Sequence, residues 1–65
     1  MKYKYVTNGK AYYIHTYSVG VNFGTSATVR RGGWSKEIAL TFGFDQHHAA
    51  ASAAECLADK REGVL

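Results

Sequence analysis

The chain contains no proline and a single cysteine, Cys56, and among its first 44 residues Glu37 is the only acidic side chain. Each scarcity excludes something. One thiol cannot close an intramolecular disulfide, so the staple common in small extracellular domains is absent and a reducing compartment is expected. No stretch approaches the ~18 consecutive apolar residues of a membrane span. The alternating lysines and tyrosines of MKYKYVTNGK also lack the apolar run of a signal peptide. The expectation is a soluble cytoplasmic protein with no membrane partner, in the host cytoplasm if a phage encodes it. With one carboxylate over most of the chain, paired-carboxylate acid–base chemistry has no place there.

Nucleotide and metal chemistry find little support either. GVNFG lacks the GxxxxGK[ST] pattern of a phosphate loop, and RGGWSK is not followed by a helix whose amino end could hold phosphate. His47 and His48 are adjacent on a predicted helix and point about 100° apart, so one ion cannot use both without help from another element. Cys56 falls near the expected buried face of the same helix, where a lone cysteine behaves as a small apolar residue. We therefore expect no catalytic residue, no metal and no cofactor: a non-enzymatic protein.

At 65 residues the chain makes one domain, spanning 1–65, with a thin core. Its charge is unevenly placed. Lys2, Lys4, Lys10, Arg30, Arg31 and Lys36 stand against Glu37 alone in residues 1–44, a net +5. Asp45, Glu55, Asp59 and Glu62 outweigh Lys60 and Arg61 in residues 45–65, a net −2. A chain so polarised suggests one face that attracts polyanions and another that repels them, the alternative being that these charges only keep a small domain soluble.

Asn8-Gly9 is the preferred pair for a type I′ hairpin turn, which sets Val6 opposite Ala11, Tyr5 opposite Tyr12, Lys4 opposite Tyr13 and Lys2 opposite His15. Opposed residues share a face, so Tyr3, Tyr5, Tyr12 and Ile14 gather as core. Lys2, Lys4, Val6, Ala11, Tyr13, His15 and Tyr17 gather on the other side. From Val19 to Val29 apolar and small polar residues alternate, as in one long bent strand or two short ones, with Gly20 and Gly24 at candidate bends. Gly32-Gly33 supports a second two-residue hairpin that places Arg31 opposite Trp34 and Arg30 opposite Ser35, with Ala27, Val29, Ile38, Leu40 and Phe42 on the apolar face, Arg31, Trp34 and Lys36 continuing it toward the tip, and Arg30 facing the other way. Thr28 and Glu37 fall on the solvated side.

The period then changes to that of a helix. Asp45 is the expected N-cap and Gly63 the expected C′ residue of a helix over about 46–62. Ala50, Ala53, Ala54, Leu57 and Ala58 line its buried face, and His48, Ser52, Glu55, Asp59 and Glu62 the opposite one. The expected fold is α+β: an antiparallel sheet of three to four strands, with a hairpin over about 2–17 and strands over about 19–31 and 34–42, and one carboxy-terminal helix packed on one face.

The candidate site follows from these pairings. Lys2, Lys4, Tyr13, His15 and Tyr17 alternate cation and ring on one face, and Arg30, Arg31, Trp34 and Lys36 cluster at the second hairpin tip. Lysine and arginine neutralise phosphates, tyrosine hydroxyls bond them, and rings stack on bases. Trp34 has two readings: a base-stacking contact, or a cap on the core paired with Arg31 as a cation–π contact.

The order of strands, GGW, SKEIALTFGFD and an alanine-rich helix resembles the AP2 and integrase-arm type of DNA-binding domain, on Trp34, the strand from Lys36 to Phe42, Phe44-Asp45, Ala49, Ala50 and Ala53. That resemblance implies a sheet entering the major groove, with base or phosphate contacts from Arg30, Arg31, Trp34 and Lys36. The chain departs from the pattern in its short GG turn, its extra NG hairpin and the missing arginine-rich strand before Trp34. HHAAASAAECL is also similar to the second helix of a double-stranded-RNA-binding domain, without that family's basic helix entry or first helix.

The functional expectation is a small phage or mobile-element type binding protein whose basic aromatic sheet engages nucleic acid, DNA ahead of RNA, or a host nucleoprotein complex. In size and simplicity the chain is also similar to phage anti-restriction and anti-CRISPR proteins, which implies the alternative: a protein-directed inhibitor of a host defence complex, with Tyr, Trp and Arg as hot spots. A homodimer through a free sheet edge is a third expectation.

Overall fold

The computed structural model describes residues 1–20, 24–40 and 45–65. Four antiparallel strands, β1 (Lys2–Thr7), β2 (Lys10–Gly20), β3 (Gly24–Arg31) and β4 (Trp34–Leu40), form one sheet in the order β1-β2-β3-β4, followed by the helix α1 (His47–Arg61). The architecture is thus the expected α+β arrangement, with four strands. The expected contributions of Val21, Phe23, Phe42 and Phe44 lie outside the described residues.

Both hairpin registers follow from their turns. Asn8 and Gly9 each take positive φ, +52° and +72°, as a type I′ turn requires, and the pairing runs from Thr7 opposite Lys10 to Lys2 opposite His15. In the second hairpin only Gly32 of the glycine pair has positive φ, the demand of a type II′ turn, and Arg31 stands opposite Trp34. The middle pairing, β2 with β3, joins the two hairpins. It sets Tyr13 opposite Arg30, Ile14 opposite Val29 and His15 opposite Thr28, with a register irregularity between Ser18 and Gly20. Val19 therefore lies near the end of β2, and the next strand begins at Gly24.

The core is the layer between sheet and helix. Tyr12, Ile14, Ala27 and Val29 from the central strands and Ala50, Ala54 and Ala58 from α1 are buried together, with Tyr3, Tyr5, Trp34, Ile38, Leu40 and Leu57 packed around them. Fully burying a residue such as Ile14 or Val29 contributes about 1.5–3 kcal/mol. Alanines contribute less each, but they let the helix axis approach a sheet that carries whole tyrosine rings.

Two helix features differ from expectation. Gln46, not Asp45, is the N-cap, and its side chain makes no capping bond. The cap comes instead from the sheet, where Thr25 Oγ1 accepts the Gln46 backbone N–H at 3.0 Å. The helix is also rotated from the expected orientation. Ala51 is buried, Cys56 is exposed, and Glu55, Asp59 and Glu62 turn partly inward toward the sheet. The reason is hydroxyl chemistry: tyrosines on β1 and β2 carry donors that reach across the layer, and carboxylates on the helix accept them. At the other end Gly63 takes φ +77°, with Gly63 N–H donating to the Lys60 carbonyl and Val64 N–H to that of Asp59. These are the bonds of a Schellman cap.

Candidate nucleic-acid interface

The helix covers one side of the sheet and leaves the other open. Register assigns the open side row by row. Lys4, Tyr13, Arg30 and Ser35 lie side by side across the four strands. The next row is Lys2, His15, Thr28 and Glu37, and the third is Tyr17, Ser26 and Ala39. Among the described residues the rings of these rows stand on β2, and the cations flank them on β1 and β3. A shallow hollow of about 550 Å³ spans the first two rows, lined among others by Lys2, Lys4, Tyr13, His15, Thr28 and Arg30, with no carboxylate among the described residues that line it.

Of the nine residues singled out in the sequence, six share this open face: Lys2, Lys4, Tyr13, His15, Tyr17 and Arg30. The other three do not join them. Arg31 and Trp34 pair with each other, and Lys36 is opposite the buried Val29, so all three belong to the helix side. Trp34 is half-buried, with its ring edge-on to Tyr12 at 5.9 Å and the Arg61 guanidinium 4.5 Å above it. A cation does cap this tryptophan, but the arginine comes from the helix end and not from the neighbouring Arg31. The major-groove contacts implied for Arg30, Arg31, Trp34 and Lys36 thus divide between opposite sides of the sheet.

Each open-face ring has its own surroundings. Tyr13 is 51% exposed. His15 and Tyr17 lean together with centroids 5.2 Å apart. Partial desolvation, then the nearby Lys2 charge and the amino terminus, lower the pKa of His15 from the usual imidazole value, which favours the neutral ring. Tyr17 donates to Glu37 Oε2 at 2.5 Å, and this bond leads the causes that raise the tyrosine's pKa. Glu37 is the one acidic side chain of the open rows, and it is engaged at their β4 margin.

The helix side holds the three carboxylates of α1 and its cap, Glu55, Asp59 and Glu62, in a ladder. Tyr3 donates to Glu55 at 2.6 Å, Tyr5 to Asp59 at 2.9 Å, and Tyr12 to Glu62, while Arg61 donates to the Tyr12 hydroxyl at 2.9 Å. Burial and then the bond to Glu55 push Tyr3 far above the ordinary tyrosine range. The bond to Asp59 leads the rise at Tyr5. Tyr12's hydrogen bond is the main reason that Glu62 lies below its usual value. The excess of acid in residues 45–65 is thereby drawn to the side away from Lys2, Lys4 and Arg30.

His47 is held against β2, with Nδ1 2.7 Å from Thr16 Oγ1 and Nε2 3.4 Å from Ser18 Oγ, whereas His48 is exposed. Among the described residues no group of three or more His, Cys, Asp or Glu converges as metal ligands would. No helix among the described residues is long and apolar enough to cross a membrane. Thr28 was not foreseen in the site. Parity set it on the solvated side, but its place beside His15 depends on the β2–β3 register, which no turn residue announces.

No family model, curated protein or solved structure matches this chain. The site therefore rests on its own geometry.

Proposed function

We propose that the protein is a non-enzymatic nucleic-acid-binding module whose interface is the open face of the sheet. The observation that carries this reading is the hollow in which Lys2, Lys4 and Arg30 surround Tyr13 and His15, with no carboxylate among the described residues of its lining. Three cations within one strand spacing of exposed rings offer phosphate neutralisation and ring contact together. The phage or mobile-element setting expected from size and simplicity suits such a module, with DNA the first probe.

The test is binding across a salt series, with charge reversals on each side of the sheet. Lys4→Glu with Arg30→Glu is expected to abolish binding at low salt. Arg31→Glu with Lys36→Glu makes the same change in net charge on the helix side and is expected to weaken it far less. Equal losses from the two pairs, or affinity that ignores salt, would sink the reading.

A second reading has one observation behind it. Val6 is 55% exposed and lies diagonal to Tyr13 on the same face, so apolar surface adjoins the cations. Such a mixture also suits a protein partner, in the manner of an inhibitor of a host defence complex. Capture from bacterial lysate of a defined complex that survives nuclease and is lost with Val6→Glu would favour it.

A further inference from the structure

We propose that the ligand of the open face is a single-stranded oligonucleotide lying along β2, its bases stacked on Tyr13 and His15 and its phosphates held by Lys2, Lys4 and Arg30. This rests on the nucleic-acid reading above and adds the form of the ligand and its direction on the sheet.

Three features point the same way. First, among the described residues the rings of the open face are confined to one strand. Tyr13, His15 and Tyr17 are successive outward residues of β2, and such residues recur every ~6.8 Å. That is about twice the ~3.4 Å step between stacked nucleotides in a duplex strand. A single strand can unstack and stretch to such a spacing, leaving base faces free for the rings, whereas a duplex keeps those faces inside its own stack.

Second, the cations flank that track on both sides. Lys4 and Arg30 are the direct neighbours of Tyr13, and Lys2 is the direct neighbour of His15. A backbone following the rings keeps phosphates beside the cations over about two nucleotides. Third, the track has an end. Tyr17 is tied to Glu37, a second-row residue on β4 whose carboxylate meets the Tyr17 hydroxyl and disfavours a phosphate beside it. The favourable stretch is therefore the half of β2 nearer the Asn8-Gly9 turn.

The experiment is fluorescence anisotropy with end-labelled oligo-dT, oligo-rU and a duplex, each about 12 units long to exceed the track. Single strands are expected to bind at least about tenfold more tightly than the duplex. Tyr13→Ala should weaken single-strand binding by roughly 5- to 150-fold, the range for one lost base–ring stack. Tyr13→Phe, which keeps the ring, should retain most of the affinity. Arg30→Gln should lower the slope of log affinity against log salt by about 0.7, the value for one phosphate on a single strand. Far-ultraviolet circular dichroism establishes that each variant is folded. A preference for oligo-dT or oligo-rU supports the proposal in either case and identifies the sugar. Duplex binding as tight as single-strand binding, with Tyr13→Ala without effect, overturns the stacking proposal and leaves the basic-face reading standing. No binding by any of the three probes at low salt overturns both.

Discussion

Trp34→Ala separates the two roles that the sequence allows this residue. In the structure the indole lies on the helix side, edge-on to Tyr12 at 5.9 Å and beneath Arg61 at 4.5 Å. The cation–π contact contributes about 0.5–1 kcal/mol, the edge-to-face pair about 0.5–1.5, and the apolar burial of a half-covered indole about 1, so truncation should cost roughly 2–3 kcal/mol. A domain of this size holds only about 3–5 kcal/mol from its core, so the loss takes up much of its stability. At about 4–8 °C per kcal/mol, the midpoint of thermal unfolding should fall by roughly 10–20 °C. Circular dichroism melts measure that shift. A cycle with Arg61→Gln should return a coupling of about 0.5–1 kcal/mol between the two residues. Below its lowered midpoint, the variant should still bind oligonucleotides as the parent does. The reasoning is refuted if Trp34→Ala melts within a degree or two of the parent yet no longer binds, because Trp34 would then be a contact residue.

Alkaline pH should loosen the helix from the sheet. Tyr3 and Tyr5 titrate higher when folded than when unfolded, so their stabilisation is fully present below about pH 10 and is lost as pH rises through the folded values. Melts taken from neutral pH to above pH 10 should show a progressive decline, shallower in Tyr5→Phe, and a flat profile would contradict the ladder. Glu37→Gln should tighten single-strand binding by roughly two- to fivefold at low salt, the range expected from relieving one exposed like-charge contact. An unchanged or weaker affinity would show that the track does not run toward Tyr17. Cys56 is exposed, so a thiol reagent should modify it completely in the folded protein, and a need for denaturant would contradict the rotation of α1.

What could be read in advance divides along the range of the interactions. Asn8-Gly9 and Gly32-Gly33 are local signals, and through them every pair of β1 with β2 and of β3 with β4 follows from counting. The placement of Lys2, Lys4, Tyr13 and His15 on one face was legible for the same reason. The register between β2 and β3 was not, since it joins two independently specified hairpins through an irregularity near Gly20. Without it Arg30 is an outward-facing contact candidate opposite Ser35 at a hairpin tip, with no ring assigned to it. With it, Arg30 is the neighbour of Tyr13. The helix shows the same limit: six alanines in its fifteen residues mark a close-packed element but offer too little contrast to fix which side faces inward. The tyrosine hydroxyls settle the orientation, by drawing in Glu55, Asp59 and Glu62, which polarity alone sends to solvent.

The same ladder has a consequence for how the molecule responds to ionic strength. Its rungs pair neutral hydroxyls with carboxylates and lie partly buried, so dissolved ions have little to screen there. The proposed contacts of the open face are between exposed cations and phosphates, which salt weakens steeply. The two sides of one thin sheet thus answer to different variables. Added salt can strip ligand from one side while the helix stays seated on the other, and release of the ligand need not pass through any loosening of the fold.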